Sequence, residues 1–439
     1  MTDAEAEHAD HRAAAPIAPS TETQVGVTRW AWFLTSPRGR GIRALGYRPF
    51  RRVWATLFVG QLGFWIAMVS MQTFMARLTH SDPRWLGLLF FISFIPMLVL
   101  TSFAGVLADR VDRKVILMAG FGATTVTMGT LSALQFARLI TPTLLLPFAF
   151  MVGTVFAFNA PAQQAIIAAT VPAKDLTSAV SLMSVASNLS RVVGPTLAAP
   201  VIVLAGETVA FTLYALAGLG QLAILARVRV SPYEPEPAAP FLQQLSDGIM
   251  HARRRPPMGA ALTVVCLSSL FAGAYTALLP VVADRAFGKG PDGFTAMVAI
   301  AGLGSMAGAL FTGFRESAPT LRTGALLTGG FGATLALFSL TSNWPLALLL
   351  LALSGGTYFA AMTTLNTLIQ LLAAENKRGR VMALFMIGWG GLVPLGGLWQ
   401  GQVATALGTM QTLGLAGAVT TVVSVGIAVF SRRRTPLAD

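Results

Sequence analysis

The chain has 439 residues, of which 54% are hydrophobic and only 11% are Asp, Glu, Lys or Arg, with a mean hydropathy of +0.67. Ordinary globular domains carry about 25% charged residues, and a soluble fold of this length has too much surface to cover with so few charges. Composition therefore predicts an integral membrane protein and excludes disorder over most of the length. The net charge of +13 does not mark a nucleic-acid binder. The basic residues fall in short clusters between long apolar runs, not in one stripe interleaved with aromatics.

In chain order, residues 1–52 read as a cytoplasmic tail, partly disordered. The tail opens MTDAEAEHADH, without the apolar run of a cleavable signal. Its TRWAWFL stretch from Thr28 either lies on the inner leaflet or is plainly solvated. From there the sequence becomes twelve apolar segments, near 53–78, 84–107, 114–137, 142–169, 177–204, 207–228, 258–283, 292–314, 321–341, 345–372, 379–402 and 405–430. Each is long enough to cross a hydrocarbon core of about 30 Å. They are continuous runs without period-two alternation, which excludes a β-barrel. The break at 229–257 is read as a cytoplasmic linker between two six-helix bundles, 53–228 and 258–430, with a cytoplasmic tail at 431–439. The halves look related: at a constant offset of 202, QAIIAATVPAKDLTSAVSL from Gln164 aligns with NTLIQLLAAENKRGRVMAL from Asn366. Such a weak repeat is what duplicated transporter bundles leave behind. With both termini inside, 25 of the 31 Lys and Arg face the cytoplasm and five face out. That bias places the chain as a multi-pass protein of the cell inner (cytoplasmic) membrane.

Helix 1 carries Gln61, Trp65, Met68 and Gln72 at helical spacing on one stripe. The loop after helix 2 reads GVLADRVDRK, residues 105–114. Gly105 permits close helix approach, Asp109 can face the positive end of a neighbouring helix, and Arg110, Arg113 and Lys114 can pair across the inner seam between halves. The loop resembles the G-x-L-A-D-R-x-G-R-K signature of the major facilitator superfamily, with Asp112 in place of the usual Gly. That variant is similar to the drug-exporter branch holding enterobactin exporters and macrolide efflux proteins. YRPFRRVWATLFVGQLG, LLPVVADRAFG and KRGRVMAL extend the likeness over most of the chain. The resemblance implies an all-α fold of twelve transmembrane helices in two six-helix bundles, with both termini cytoplasmic. It also implies a gating role for residues 105–114 and a central cavity lined by helices 1, 4, 7 and 10.

On those terms Gln61, Trp65, Gln72, Asn159, Gln163, Tyr275, Tyr358 and Asn366, with Trp389 on helix 11, are the candidate cavity residues. Polar stripes on apolar helices also glue helices together, so each residue has that second reading. Helix 5 holds SRVVGPTLAAP, where Arg191 is the lone charge well inside a helix and Gly194-Pro195 is expected to bend it. The segment is partly similar to the G-x-x-x-G-P-x-x-G-G motif of family antiporters. Arg191 either attracts an anionic group on the substrate or holds carbonyl and Gln partners around the bend. No carboxylate falls mid-helix in the amino-terminal half, so Asp284 beside Arg285 is the proton-coupling candidate, with a loop salt bridge as its other reading.

The four His are scattered, and the single cysteine, Cys266, sits in an apolar run. No metal site, cofactor or enzymatic activity is expected. There is no G-x-x-x-x-G-K-[ST] loop for nucleotide. The expected function is secondary active export of a mostly apolar organic compound (a drug, siderophore or natural product), by a monomer alternating access in the bilayer. Proton antiport is implied by the resemblance alone. A lipid flippase of the same fold and a non-transporting membrane scaffold are the rival readings.

Overall fold

A computed structural model describes residues 37–108, 111–228, 241–313, 317–374 and 377–431. Most of the tail, Asp109 and Arg110 of the gating loop, and the last eight residues lie outside them. The described chain is helical without a strand, and eleven of its helices are long and apolar enough to cross a membrane.

The amino-terminal half comprises α1 (Arg48–Leu78), α2 (Pro83–Ala108), α3 (Arg113–Phe136), α4 (Pro142–Ala168) and α5 (Leu176–Ala226). At 51 residues, α5 would be roughly 75 Å long if straight, more than twice a bilayer core of about 30 Å. It is not straight. Gly206 has φ 79° and ψ 169°, a conformation open to glycine and strained for other residues, and the chain doubles back there. Before it, α5 runs parallel to α1: the Trp54 indole donates to the Leu182 carbonyl and Gln61 to Ser187 Oγ at 2.9 Å. After it the direction reverses, with Tyr214 against Gly63 and Gln221 donating to the Thr56 carbonyl. The sequence reading of separate segments at 177–204 and 207–228 matches this hairpin. At Gly194-Pro195, where a bend is expected, both residues keep helical dihedrals, and Pro195 has no N–H to give the ladder. Gly194 is also a contact point, since a Cβ there would come within 2.5 Å of Trp65 Cβ.

The stretch 229–257 contains a helix, α6 (Phe241–Arg253). The carboxy-terminal half follows with α7 (Pro256–Ser268), α8 (Gly290–Gly313), α9 (Leu321–Phe338), α10 (Trp344–Leu372), α11 (Arg378–Met386), α12 (Leu392–Leu407) and α13 (Thr409–Ser431). Between α7 and α8 the chain passes through π-turns at Ser269–Gly273 and Val282–Ala286, and a third, Ile387–Gly391, joins α11 to α12. Single π-turns inside helices are frequent at functional sites. These carry Asp284 and Trp389.

Within each half the helices pack mainly on one another, α1 and α3 on α5 and α9 on α10 and α13. The halves meet along two seams, α2 against α12 and α5 against α8. In the first, a Cβ on Gly87 would lie 2.5 Å from the Gly397 carbonyl oxygen, and one on Gly401 would lie 2.6 Å from that of Pro83. Small residues let membrane helices approach this closely. Val69, Ala198 and Ile202 belong to the carboxy-terminal core, while Val281 packs into the amino-terminal one.

Candidate functional site

Two inter-half features stand out, one at mid-depth and one at the end of the bundle that carries the 79–82 and 287–290 turns. That end is called the far end here, and the end carrying Tyr47 and the 169–175 turn the near end.

At mid-depth the Arg191 guanidinium sits among three aromatic faces. Its Cζ lies 5.3 Å from the ring centre of Trp65, 4.9 Å from that of Phe359 and 5.7 Å from that of Trp389. Each contact falls within the about 6 Å reach of a cation–π interaction, worth roughly 0.5–2 kcal/mol. Arg191 and Trp65 come from the amino-terminal half, Phe359 and Trp389 from the other. All four keep part of their surface exposed. Arg191 Nε is nonetheless buried, with no hydrogen-bond partner among the described residues. Among the described residues, the contacts seen for this charge are aromatic rings, not the expected web of carbonyl and Gln partners around the helix-5 motif.

The cage continues into the carboxy-terminal half. The Trp389 indole N–H donates to Tyr358 Oη at 2.9 Å. Tyr358 packs on Phe331 with ring centres 4.8 Å apart, and Phe331 meets Tyr275 at 5.9 Å. Trp65, Arg191, Tyr358 and Trp389 are thus brought together, with Tyr275 one ring further on. Phe359 is not among the residues the sequence points to: among 27 phenylalanines nothing there distinguishes it.

Other candidates lie elsewhere. Gln61, Asn159 and Gln163 line a small void inside the amino-terminal half, closed by Phe121, Tyr214 and Gln221. Asn159 lies there against Gly120, where an added Cβ would come within 2.2 Å of its Oδ1. Helical spacing puts residues on a common face, but which face meets the seam is decided by packing. Gln72 is buried with Oε1 unpaired among the described residues, and Asn366 accepts from Gln370 one turn away.

At the far end the halves are clasped. Ser81 Oγ donates to Asp284 Oδ2 at 2.6 Å, Arg285 to the His80 carbonyl at 2.9 Å, and Arg84 to Thr405 Oγ1 at 3.2 Å. Asp284 faces Ser81 across the seam, and Arg285 turns to a backbone carbonyl instead of making the expected loop salt bridge. A cleft of about 210 Å³ lies beside Asp284, bounded by Arg77, His80, Pro291 and Phe294. Next to it Arg77 pairs at 2.7 Å with Glu207, which is 1% exposed.

At the near end, several contacts among the described residues run within one half. Asp112 caps α3, accepting from the Lys114 backbone N–H at 2.7 Å. Lys114 Nζ donates to the carbonyls of Ala226 and Val228, and Arg113 to that of Ala165 at 2.8 Å. Both cations, expected across the inner seam, bind carbonyls at helix ends of their own half, which lack intrahelical partners. Gly105 lies in the last turns of α2, while Asp109 and Arg110 fall outside the described residues. Tyr47 donates to Asp175 Oδ2 at 2.8 Å. Burial, then that bond, pushes its hydroxyl up to about 12.

Two helix sets meeting on paired seams around a mid-depth site form the architecture of membrane transporters. The structure resembles that of the nucleoside transporter NupG, with a TM-score of 0.67 and 12% identity over 88% of this chain and 99% of that one. It also resembles a bacterial homolog of the human lysosomal transporter Spinster in an inward-facing, occupied conformation, with a TM-score of 0.69 and 14% identity over 88% and 96% of the two chains. The family described as transmembrane secretion effector matches residues 42–438, and the chain belongs to it. It is a transporter of the major facilitator superfamily, not an enzyme. Curated relatives include the staphyloferrin A transporter of Staphylococcus aureus, 24% identical over 86% of this chain and 94% of that one. Another is the enterobactin exporter EntS of Shigella flexneri, 28% identical over 87% and 88%.

Proposed function

We propose that this transporter exports a mostly apolar organic compound, a siderophore or a similar natural product, by alternating access across the cytoplasmic membrane. Twelve spans, with the helix-5 arm before Gly206 counted as one, would leave both termini in the cytoplasm, so the far end faces out. The observation that carries this is the Arg191 cage, built from both halves at mid-depth beneath a far end clasped shut. A compound in the cage touches both halves, so opening the clasp while the near end closes would turn the site outward. The named relatives supply the siderophore class.

Protons are the proposed driving ion, and Asp284 the group that takes them. As a carboxylate it accepts from Ser81 and holds the far end closed; once protonated it loses the charge that strengthens this bond. Efflux of the lipophilic dye Nile red from cells overproducing the chain tests the coupling. Collapsing the pH gradient should stop efflux, and depleting ATP at a held gradient should not. Undiminished efflux without a gradient would remove proton antiport and leave facilitated diffusion.

A further inference from the structure

We propose that the cage around Arg191 binds an organic anion with a flat, apolar body. The anionic group would meet the guanidinium, and the body would lie among Trp65, Phe359 and Trp389. This rests on the export function above and narrows its substrate class.

Among the described residues, the charge at Arg191 has no counter-ion. The two ion pairs among the described residues are Arg77 with Glu207 and Arg380 with Asp247, and the remaining described carboxylates sit at helix ends or in the segments between helices. An ionised side chain at membrane mid-depth is costly, and such residues normally pair or mark a substrate path. Rings attract the charge through their faces, but they do not give guanidinium N–H groups the lone pairs they require. Arg has five such donors, and the buried Nε has none of its need met among the described residues. A carboxylate or similar planar anion supplies two acceptors in the geometry of the guanidinium fork. The rest of the cage is aromatic surface suited to stacking a flat ring system. Trp65 and Arg191 stand on one half, Phe359 and Trp389 on the other, so one occupant satisfies the cation and bridges the halves together. A cationic occupant would face Arg191 with no carboxylate among the described residues to offset it.

The test is equilibrium dialysis of the full chain in lipid nanodiscs against three probes of one shape: 2-naphthoate, neutral 2-naphthamide and 2-naphthylmethylammonium. At neutral pH the acid should bind about tenfold more tightly than the amide, the size of one charge-assisted contact, and the ammonium should bind weakest. Arg191→Gln should bind acid and amide alike. Amide and acid binding equally to the wild type, an ammonium binding tightest, or an acid preference surviving in Arg191→Gln would each overturn the site. Should that variant fail to fold, the wild-type comparison alone decides. Because the measurement needs no transport, equal binding would leave export of uncharged compounds standing, and failed efflux would leave an anion preference intact.

Discussion

Gly401→Val should abolish export while the chain still reaches the membrane at its normal level. At this position α12 lies directly against the start of α2, and the first added carbon would sit 2.6 Å from the Pro83 carbonyl oxygen and 3.1 Å from Gly87 Cα. Those partners are backbone, so no rotamer change relieves the clash; the helices must separate. Within a single half that would cost stability. Here the two helices belong to opposite halves, and the separation falls on the seam beneath the Arg84–Thr405 contact that helps close the far end. The cycle needs that end to close as well as open, and each 1.4 kcal/mol lost from the closed state is about tenfold in its population. Nile red efflux should drop more than tenfold at matched membrane abundance. Near-normal efflux would show that the seam does not have to close this tightly.

Trp389→Ala should be nearly as damaging, and Trp389→Phe much less so. Trp389 contributes a face to Arg191 and an N–H to Tyr358, and its ring also packs on Phe385 with centres 6.0 Å apart. Alanine removes all three and leaves a hole, a change that in packed cores costs roughly 3–5 kcal/mol. Phenylalanine restores an aromatic face for the guanidinium but gives Tyr358 no donor. If the cage works through its faces, efflux should fall about tenfold or more in the alanine variant and about fivefold or less in the phenylalanine variant, since a neutral hydrogen bond is worth about 1 kcal/mol. A phenylalanine variant as inactive as the alanine variant would move the importance from the cage to the Trp389–Tyr358 bond.

Much of this arrangement was legible in the sequence, and its limits follow from physics. The spans were readable because lipid demands long apolar runs whatever their neighbours. The turn at Gly206 was readable only as the break between the segments 177–204 and 207–228. Arg191 stood out because a charge at mid-span is rare and needs a reason. Its partners were half legible: Trp65 lies on the marked stripe of α1 and Trp389 was a candidate, while Phe359 carries no mark beyond being apolar. Asn159 and Gln163 show why a polar stripe is a weaker guide. Their spacing is right for one face, but that face turns toward Tyr214 and Gln221 inside the half. The far-end clasp was least visible. It joins Ser81 to Asp284 across 203 positions of sequence and uses the His80 carbonyl, a backbone group that residue type does not reveal.

The most direct test of two halves exposing a shared site in turn is a pair of distances followed together. Spin labels would be placed, in a Cys266→Ser background, on Arg138→Cys with Ser342→Cys at the far end and on Lys174→Cys with Ala318→Cys at the near end, all exposed positions. Pulsed electron resonance in nanodiscs would then record both separations as pH is lowered and as 2-naphthoate is added. The far-end distance should lengthen in the same fraction of molecules in which the near-end distance shortens. Two distances that stay fixed under every condition, or that lengthen together, would contradict it.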